Sequence, residues 1–581
     1  MVMTGGTGRL VRVNGPLVEA EGLEGVAVAD VIEVGEARLS AEVVAVERGH
    51  LTAQVYEYTG GLQVGDPVTC LGRPLAARLG PGLLGGVFDG LLRPLDGREA
   101  WLTPGALAGD DHPQRWPFAP QASSGSTVVP GSPLGTVRTR AGIDHRVLVP
   151  AGITGAIEWM AEGEIGEDDA VAVIAGQRVG LVEHWPVRTP RPVRSRLALS
   201  VPLLTGQRVV DLLFPVAKGG TAAVPGGFGT GKTVLLQQLV KWCHADVVVF
   251  VGCGERGNEL ADALADLGEL DDPQTGGPLL ERTVVIANTS NMPVMAREAS
   301  IYTGMTVAEY YRDMGHDVVL LADSTSRWAE ALREFASRSG ELPAEEGFPA
   351  GLASALAAFY ERAGRVRTLS GEEGSVTAIG AVSPPGGDMT EPVTMHTERF
   401  VRCLWSLDRD LAYARHYPAV TWRRSFSRDT DAVGAWHASS GRPAWSRDQA
   451  RAVSVLAEAD RLAPMVELVG LQALPSRERV TLLAGRLLRE AVLQQSALSP
   501  NDATSSPAKQ AALLGLVLAV YDRALALLDE GVAASALEEL DLSGVTRVRD
   551  EVGPDDAAGV ERRCDEVLRA LDALAQPEDR S

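Results

Sequence analysis

An octapeptide near the middle of the chain has the sequence Gly226-Gly227-Phe228-Gly229-Thr230-Gly231-Lys232-Thr233. It fits the pattern G-x-x-x-x-G-K-T, in which glycines let successive backbone N–H groups point at phosphate oxygens. In this pattern Lys232 places a cation against the β- and γ-phosphates, and the Thr233 hydroxyl ligates Mg²⁺. The octapeptide therefore predicts a loop that binds a nucleoside triphosphate with magnesium. The alternative in a glycine-rich chain is a structural turn.

The flanking sequence favours the phosphate loop over a turn. An apolar strand is predicted before it, at 222–224, and a helix after it, at 233–243, which is the context that the motif requires. Outward from the loop, apolar strands alternate with further helical stretches, which predicts an α/β core with a mainly parallel sheet. The strands are predicted at 247–251, 283–287, 318–322 and 376–382, and the helices at 259–267 and 290–311.

Two carboxylates follow predicted strands of this core. Asp323 comes directly after 318–322, where α/β sheets bind ligands, and is expected to hold Mg²⁺ directly or through water. The alternative for Asp323 is a helix N-cap. Glu255 follows 247–251 and suits the group that polarises the attacking water, with Arg256 contacting phosphate oxygens or bracing Glu255. The alternative is a surface Glu–Arg pair of little consequence.

The sequence on either side of the core predicts three more domains. Short Val-rich strands with glycines between them predict an N-terminal β-barrel at 1–70, followed by a β-rich insertion at 71–190 with a surface loop at 123–126. The nucleotide-binding domain is placed at 191–435. Amphipathic stretches at 447–461, 477–495, 507–528 and 555–574 predict a helical domain at 436–581, with Pro464, Pro475 and Pro500 interrupting it. The predicted fold class is therefore multidomain α/β.

Composition excludes several other classes of protein. The formal net charge of −22 argues against nucleic acid as a partner. The five cysteines are widely spaced and form no C-x-x-C pair, so neither a disulfide framework nor a zinc site is expected. No apolar run reaches about 18 residues, and the longest, at 511–521, ends in Asp522 and Arg523. Any link to a membrane is expected to go through partner subunits.

Six further stretches are distinctive: GCGERGNE at 252–259, NTSNMP at 288–293, ADSTSRWAEALRE at 322–334, PAEEGFP at 343–349, GEEGS at 371–375 and SPPGGD at 383–388. With the phosphate loop they resemble the catalytic A subunit, or alpha chain, of the archaeal and bacterial V/A-type rotary ATPase. The resemblance extends from residue 15 to residue 495. The related F-type β subunit differs around its catalytic Glu and lacks the long insertion.

The resemblance implies an ATP phosphohydrolase or ATP synthase that is coupled to ion transport, with the proton as the expected ion. It implies three A subunits alternating with three non-catalytic B subunits in a hexamer, contacts with central shaft and peripheral stalk subunits, and a place on the cytoplasmic face of a membrane. A neighbouring B subunit would supply an arginine finger in trans. Tyr417 matches the aromatic that packs on adenine, the alternative being a core aromatic, and Gln494 and Gln495 match the pocket wall.

The chain departs from the family pattern at three places. Gly227 stands where Pro or Ala is usual, which predicts a less rigid loop. Near Gln494 the family has Phe before and Asn-Ala-Phe after, whereas this chain has Val492 before and Ser-Ala-Leu at 496–498, so weaker base affinity or selectivity is expected. The hairpin at 476–479 is less acidic than expected of a shaft-contacting segment.

Three alternative functions remain open at this point. An export or secretion ring ATPase shares the general plan, but the insertion and the 252–259 stretch argue against it. A non-catalytic nucleotide-binding ring subunit would have no need of both Lys232 and Glu255, and both are present. A hexameric nucleic-acid translocase is disfavoured by the acidic charge.

Overall fold

The computed structural model describes residues 6–47, 49–95, 115–139 and 142–575. The chain divides into two compact units. The first unit comprises Met1–Ala198, Ala245–Pro384 and Asp388–Phe400, and the second unit comprises Leu199–His244, Pro385–Gly387 and Val401–Ser581.

The strands, in chain order, are β1 Thr7–Asn14, β2 Leu17–Glu21, β3 Asp30–Val34, β4 Leu39–Glu47, β5 His50–Val55, β6 Pro67–Pro74, β7 Ala76–Leu79, β8 Val87–Phe88, β9 Arg115–Pro120, β10 Thr127–Val128, β11 Pro133–Arg138, β12 Asp144–Leu148, β13 Gly155–Met160, β14 Gly163–Gly166, β15 Ala170–Ile174, β16 Gln177–Gly180, β17 Glu183–Pro186, β18 Ser195–Arg196, β19 Thr221–Pro225, β20 Val247–Cys253, β21 Thr283–Asn288, β22 Asp317–Asp323, β23 Gly364–Arg367, β24 Glu373–Val382, β25 Cys403–Leu404 and β26 Phe426–Ser427.

The α-helices are α1 Lys232–Trp242, α2 Gly257–Glu269, α3 Val294–Asp313, α4 Thr325–Ser339, α5 Leu352–Glu361, α6 Pro392–Phe400, α7 Arg409–Tyr413, α8 Thr430–Ser439, α9 Trp445–Val469, α10 Ser476–Leu487, α11 Pro507–Asp529, α12 Ala534–Glu539, α13 Ser543–Glu551 and α14 Ala557–Ala573. Two short π-helices, Val209–Leu213 and Leu488–Leu493, complete the longer helical segments.

The N-terminal part of the first unit is a closed antiparallel barrel with strand order β1-β2-β5-β4-β3-β6. Successive residues of a strand face opposite sides of the sheet, so only part of each strand points into the barrel. Fully buried side chains that fill the interior include Val18, Ala20, Ile32, Val34 and Ala53. The predicted β-barrel is confirmed.

The next part of the first unit contains two four-stranded antiparallel sheets, ordered β10-β13-β15-β16 and β12-β11-β9-β14. They share one apolar core, in which Leu134, Val137, Val171 and Ile174 are fully buried. The predicted surface loop at 123–126 is a turn before β10. Residues 96–114 of the predicted insertion lie outside the described residues.

The first unit also contains a mainly parallel sheet, with strand order β24-β22-β20-β21-β8. Antiparallel β23 and β18 extend it beyond β24. All seven residues of β20 are buried, as expected for a strand covered on both faces. Helix α3, with 18 of its 20 residues buried, contacts β20, β21 and β22. The predicted parallel α/β core is confirmed.

The second unit contains β19, the phosphate loop and α1, with β25 pairing in parallel with β19 and β26 pairing with β25. Its C-terminal part is helical, as predicted. The expectation that Pro464 interrupts a helix is wrong, because α9 continues through it. Pro464 is exposed, so the carbonyl that loses its N–H partner can bond to water.

Helix α11 is long and apolar enough to cross a membrane by length and composition, unlike the expectation for this stretch. It packs against α9, α10 and α14, and the side chains of Leu513, Val517 and Leu527 are fully buried. Lys509 in its first turn is also buried, where its ammonium group donates to the backbone carbonyls of Asn501, Arg549 and Val552. These contacts are those of the central helix of a helical domain.

Candidate functional site

The phosphate loop joins β19 to α1 in the second unit. The loop is closed internally, because the Thr230 hydroxyl donates to the Gly227 carbonyl over 2.8 Å. Gly226 approaches Leu407 so closely that a Cβ atom placed on it would lie 2.9 Å from that side chain. Phe228 stands at the tip and is 95% exposed. Helix α1 begins at Lys232, so the positive end of its dipole faces the loop.

A cavity of about 580 Å³ adjoins the loop within the second unit. It brings together residues from five separate parts of the sequence: Gln207, the loop with α1, the 415–418 turn, the 494–498 segment and Arg549. Its lining includes five of the residues predicted to bind nucleotide, which are Gly229, Gly231, Tyr417, Gln494 and Gln495. The cavity has the size expected of a ligand pocket.

Tyr417 forms one wall of the cavity. Its ring is 42% exposed and reaches the phosphate loop, since a Cβ atom on Gly231 would lie 3.2 Å from Tyr417 Cε1. A core aromatic would be buried, so this position favours a ring that stacks on a bound base.

Gln494 and Gln495 differ in what holds their side chains. The Gln495 amide is buried, accepting from the Arg208 backbone N–H over 2.8 Å and donating to the Gly206 carbonyl over 2.8 Å. Its backbone N–H also donates to the Tyr417 carbonyl over 2.7 Å. Gln495 therefore holds the 494–498 segment of the cavity lining against Gly206 and Arg208. The Gln494 amide makes only a long contact of 3.4 Å with the Arg415 carbonyl.

The residues around Gln494 provide no aromatic side chain to the cavity. Val492 is buried in the helical domain, and Leu498 lines the cavity but is 96% exposed. The lining residues Ser496 and Ala497 are small. Tyr417 is the only aromatic residue among those that line the cavity in the described part of the chain.

The two predicted carboxylates lie at one edge of the parallel sheet in the first unit. Strands β20 and β22 are adjacent, and Gly252 pairs with Asp323. Glu255 follows three residues after Gly252, so Glu255 and Asp323 both lie at the carboxyl ends of these adjacent strands. Asp323 is 4% exposed. The N-cap of α4 is Ser324, so Asp323 is not the cap residue.

The loop that carries Glu255 is fastened to the end of the neighbouring strand β21. The Gly254 N–H donates to the Asn288 carbonyl over 2.7 Å, and the Ser290 N–H donates to the Glu255 carbonyl over 2.9 Å. Gly254 has φ +75° and no room for a side chain, because its Cβ would lie 2.7 Å from Arg327 Cβ. The backbone of Glu255 is therefore held on both sides.

Arg256 is 74% exposed at the start of α2, and its guanidinium lies 3.7 Å from the Glu259 carboxylate. Cys253, just before the loop, is buried, and burial raises the pKa of its thiol to about 12. The thiol is therefore protonated at neutral pH and takes no part as a nucleophile.

Arg297 and Arg327 are not among the predicted site residues, yet both lie at this edge. Arg297 Nη2 donates to the Ser290 carbonyl over 2.9 Å, which braces the loop that holds Glu255. Arg327 pairs with Glu330 at 2.9 Å, and this hydrogen bond raises the pKa of its guanidinium. Both arginines stand in helices after the strand ends, where no local motif marks them in a single sequence.

No cluster of three or more His, Cys, Asp or Glu side chains suited to a metal occurs in the described residues. Mg²⁺ keeps several waters and takes one or two protein oxygens together with substrate phosphates, so a site for it does not need such a cluster. The buried Asp323 carboxylate at the strand end is suited to that role.

Four sequence profiles match successive parts of the chain. They are the ATP synthase alpha/beta family beta-barrel domain at 10–72, the ATPsynthase alpha/beta subunit barrel-sandwich domain at 109–188, the ATP synthase alpha/beta family nucleotide-binding domain at 206–427 and the C-terminal domain of V and A type ATP synthase at 434–537.

Curated relatives match over nearly the full length. The V-type ATP synthase alpha chain of Anaeromyxobacter sp. (strain K) is 53% identical over 90% of this chain and 92% of its own. The corresponding A subunit of the A-type ATP synthase is 49% identical over 92% and 93% in Methanopyrus kandleri, and 47% identical over 98% and 99% in Sulfolobus acidocaldarius. The chain belongs to this family of V/A-type ATP synthase catalytic subunits.

Membership in the V/A-type family decides between the functions that the sequence left open. The assembled ATPase EscN from the enteropathogenic E. coli type III secretion system has a similar fold, with a TM-score of 0.65 over 88% of this chain and 99% of its own. Its sequence identity is only 22%, so the likeness concerns the fold alone. As a member of the V/A-type family, the chain is the ATP-hydrolysing or ATP-synthesising component of a larger complex that transports ions.

Proposed function

We propose that the predicted residues divide the reaction between phosphate binding, metal binding and activation of water. Lys232 and the backbone N–H groups of the 226–233 loop bind the phosphates, and Lys232 stabilises the charge on the transferring phosphoryl group. Thr233 and Asp323 would hold Mg²⁺, Thr233 through its hydroxyl and Asp323 through its carboxylate, directly or through water. Mg²⁺ supplies Lewis-acid stabilisation of the phosphate oxygens.

Glu255 polarises the water that attacks the γ-phosphate, and in synthesis it receives the water that leaves. The observation that carries this role is the pairing of Gly252 with Asp323, which supports placing both carboxylates at the same edge of the sheet. The bonds from Ser290 and Gly254 keep the Glu255 backbone fixed, so its carboxylate needs little reorganisation during the reaction. Arg256 is a phosphate ligand that becomes engaged when nucleotide is bound.

The base occupies the cavity beside Tyr417. Tyr417 stacks on its face, Gln494 contacts its edge, and Gln495 holds the wall through its bonds to Gly206 and Arg208. The loop glycines and Phe228 complete the nucleotide-binding set. The four-domain division at residues 70, 190 and 435 is part of this proposal.

The assembly follows the family pattern. Three copies of this chain alternate with three non-catalytic B subunits, and each B subunit gives an arginine finger to a site on this chain. The ring contacts central shaft and peripheral stalk subunits on the cytoplasmic face of a membrane, and the membrane sector transports protons. Exposed apolar residues at the end of α9, such as Leu468 and Val469, support a contact with another subunit there.

The test compares the isolated chain with the reconstituted ring. ATPase turnover is measured for the chain alone, for the chain with the B subunit, and for the chain with a B subunit whose candidate finger arginine is replaced by alanine. We expect turnover only with the intact B subunit. Full turnover by the isolated chain would contradict the shared site.

A further inference from the structure

One carboxylate is contacted by side chains from two stretches of chain that lead to the base cavity. Asp460, in α9, accepts a hydrogen bond from Trp422 Nε1 over 2.7 Å and another from Arg423 Nε over 2.7 Å. Arg489 Nη1 lies 3.7 Å from the second oxygen of the same carboxylate. Asp460 itself is not among the described residues that line the cavity. It therefore joins two parts of the cavity lining from outside.

The first stretch is the turn that carries Tyr417. The residues at its ends are in contact, because the rings of His416 and Trp422 meet edge-on with their centroids 6.3 Å apart. His416 is buried, so this contact is largely shielded from water. The Trp422 indole donates to Asp460, which fixes the orientation of the ring that packs on His416. Asp460 therefore holds one end of the turn that places Tyr417 in the cavity lining.

The second stretch is the π-helix Leu488–Leu493, which leads into Gln494. The Arg489 carbonyl accepts from the Gln494 backbone N–H over 2.8 Å. The Arg489 guanidinium lies 6.0 Å from the centre of the Trp422 ring, within the range of a cation–π contact. Arg489 therefore contacts Gln494 through its backbone and the first stretch through its side chain.

The charge of Asp460 balances two cations, one from each stretch. Burial would raise the pKa of this carboxyl, but the hydrogen bonds from Arg423 and Trp422 outweigh burial and lower the pKa below its usual value. The carboxylate is therefore ionised at neutral pH. Burial, and to a smaller extent the charge of Arg423, lower the pKa of Arg489. Without the carboxylate, the two guanidinium groups would repel each other and push the two stretches apart.

Other contacts limit how far the two stretches can move. The Gln495 N–H donates to the Tyr417 carbonyl over 2.7 Å, and the Asp408 N–H donates to the Ala419 carbonyl over 2.8 Å. Arg423 is 67% exposed, so water screens part of its charge. Loss of the carboxylate charge is therefore expected to shift the side chains that line the cavity while the backbone around them stays folded.

We propose that Asp460 is a positioning residue for the nucleotide, which holds Tyr417 and Gln494 at the separation that a purine base requires. It contacts no part of the nucleotide and acts through the residues that it holds. The inference rests on the proposed function, because it assumes that the base lies in the cavity beside Tyr417. It adds that ATP affinity depends on a charge in α9, outside the cavity.

Three substitutions separate the charge of Asp460 from its hydrogen bonds. Asp460→Asn removes the charge, but the amide has nearly the same shape and keeps an oxygen that can accept from Trp422. Trp422→Phe removes the indole donor and keeps an aromatic ring beside His416. Glu458→Gln is the matched control, because Glu458 lies two residues earlier in α9, is 42% exposed and pairs with Arg461 at 2.6 Å.

The experiment measures the ATP dissociation constant, by equilibrium titration, and kcat in the reconstituted complex. Asp460→Asn should weaken ATP binding about fivefold and Trp422→Phe about threefold, with kcat within about twofold of wild type because the phosphate chemistry is unchanged. Glu458→Gln should leave both values unchanged. Thermal unfolding midpoints establish that each variant is folded.

A double variant separates positioning from a general loss of stability. Once the Tyr417 ring is removed, its separation from Gln494 no longer matters, so Asp460→Asn should have little further effect. Tyr417→Ala combined with Asp460→Asn should therefore bind ATP within about twofold of Tyr417→Ala alone. Independent effects would instead multiply.

Two results would overturn the inference. One is ATP binding within about twofold of wild type in Asp460→Asn, or in Trp422→Phe should Asp460→Asn fail to fold. The other is a fully multiplicative loss in the double variant, because Asp460 would then act elsewhere. Either result, together with weaker ATP binding in Tyr417→Ala alone, leaves the proposed base site intact. Unchanged ATP affinity in Tyr417→Ala would instead contradict the proposed function.

Discussion

The carboxylate edge of the first unit and the base cavity of the second unit are built in different ways. At the edge, Glu255 follows β20 and Asp323 ends the adjacent strand β22, and backbone hydrogen bonds fasten the loop that carries Glu255 to the end of β21. The cavity is assembled from five separate segments, and its lining includes the exposed Leu498. Catalysis requires reacting groups in fixed positions, whereas a binding cavity tolerates more variation in its wall.

We expect the largest loss of turnover from a substitution at one end of β22, with a substitution at its other end as the control. Asp323→Asn, at the carboxyl end of β22, should lower turnover at least about a hundredfold, because a Mg²⁺ interaction is lost. Asp317→Asn at the other end of β22 is the control, since Asp317 accepts from the Ser375 hydroxyl over 2.6 Å and lies at the opposite edge of the sheet. Steady-state ATPase assays over a range of Mg²⁺ concentrations measure both. Equal losses would remove the metal role.

The next effect concerns Tyr417, the aromatic residue that lines the cavity. Tyr417→Ala should weaken ATP binding about tenfold, as expected for loss of one base–aromatic stack, with kcat nearly unchanged. Tyr413 is 77% exposed, does not line the cavity and gives the matched control Tyr413→Ala. Affinity is measured by equilibrium titration with a fluorescent ATP analogue. Unchanged affinity in the Tyr417 variant would show that the base does not stack there.

Each of the two units contains a histidine that makes its stability sensitive to acid. Burial lowers the pKa of His145 in β12 to about 3, and that of His416, beside Tyr417, to about 4. Both are neutral in the folded chain but protonate on unfolding below about pH 6.5, so stability present at pH 7 is lost as the pH falls. For the fully buried His145 the loss between pH 7 and pH 5 is about 2 kcal/mol.

Urea unfolding at pH 7 and pH 5 measures this sensitivity. His145→Gln should have a smaller difference between the two pH values than the wild type, whereas replacing the exposed His50 by Gln should leave the difference unchanged. A wild-type protein that is equally stable at both pH values would contradict the burial of neutral histidines.

The smallest effect concerns the rigidity of the phosphate loop. A Cβ on Gly227 would make only ordinary contacts of 3.7 Å with Arg409 and Gly387, so Gly227→Ala should stabilise the chain by about 0.5 kcal/mol. Gly229 has φ +79° and open space around it, so Gly229→Ala should destabilise by about 1 kcal/mol through backbone strain alone. Thermal unfolding midpoints measure both. A loss of stability in Gly227→Ala would show that the loop needs glycine there.

The difference between the regions also explains what can be predicted from the sequence. Lys232, Glu255 and Asp323 lie within a few residues of buried strands, so periodicity and local motifs are sufficient to locate them. The strands of the parallel sheet can be predicted to within a few residues for the same reason. Arg549 comes from a helix far along the chain from the loop, and only tertiary packing brings it to the cavity.

Pro464 is a position where a local sequence signal gives the wrong prediction. A proline inside an amphipathic stretch predicts a break, yet α9 continues because Pro464 is exposed and one face of the helix buries Ala459 and Leu462. Tertiary packing outweighs the local preference at this position. A single sequence does not show which backbone carbonyl faces water.

The proposed role of Glu255 is to activate the attacking water at the carboxylate edge, and one pair of variants separates this role from ATP binding. ATP turnover and ATP affinity are measured in the reconstituted ring for Glu255→Gln and for Glu259→Gln, whose side chain lies four residues further along and pairs with Arg256. We expect Glu255→Gln to lose at least about a hundredfold in turnover while binding ATP within about threefold of wild type, and Glu259→Gln to turn over nearly normally. Wild-type turnover in Glu255→Gln would contradict the claim.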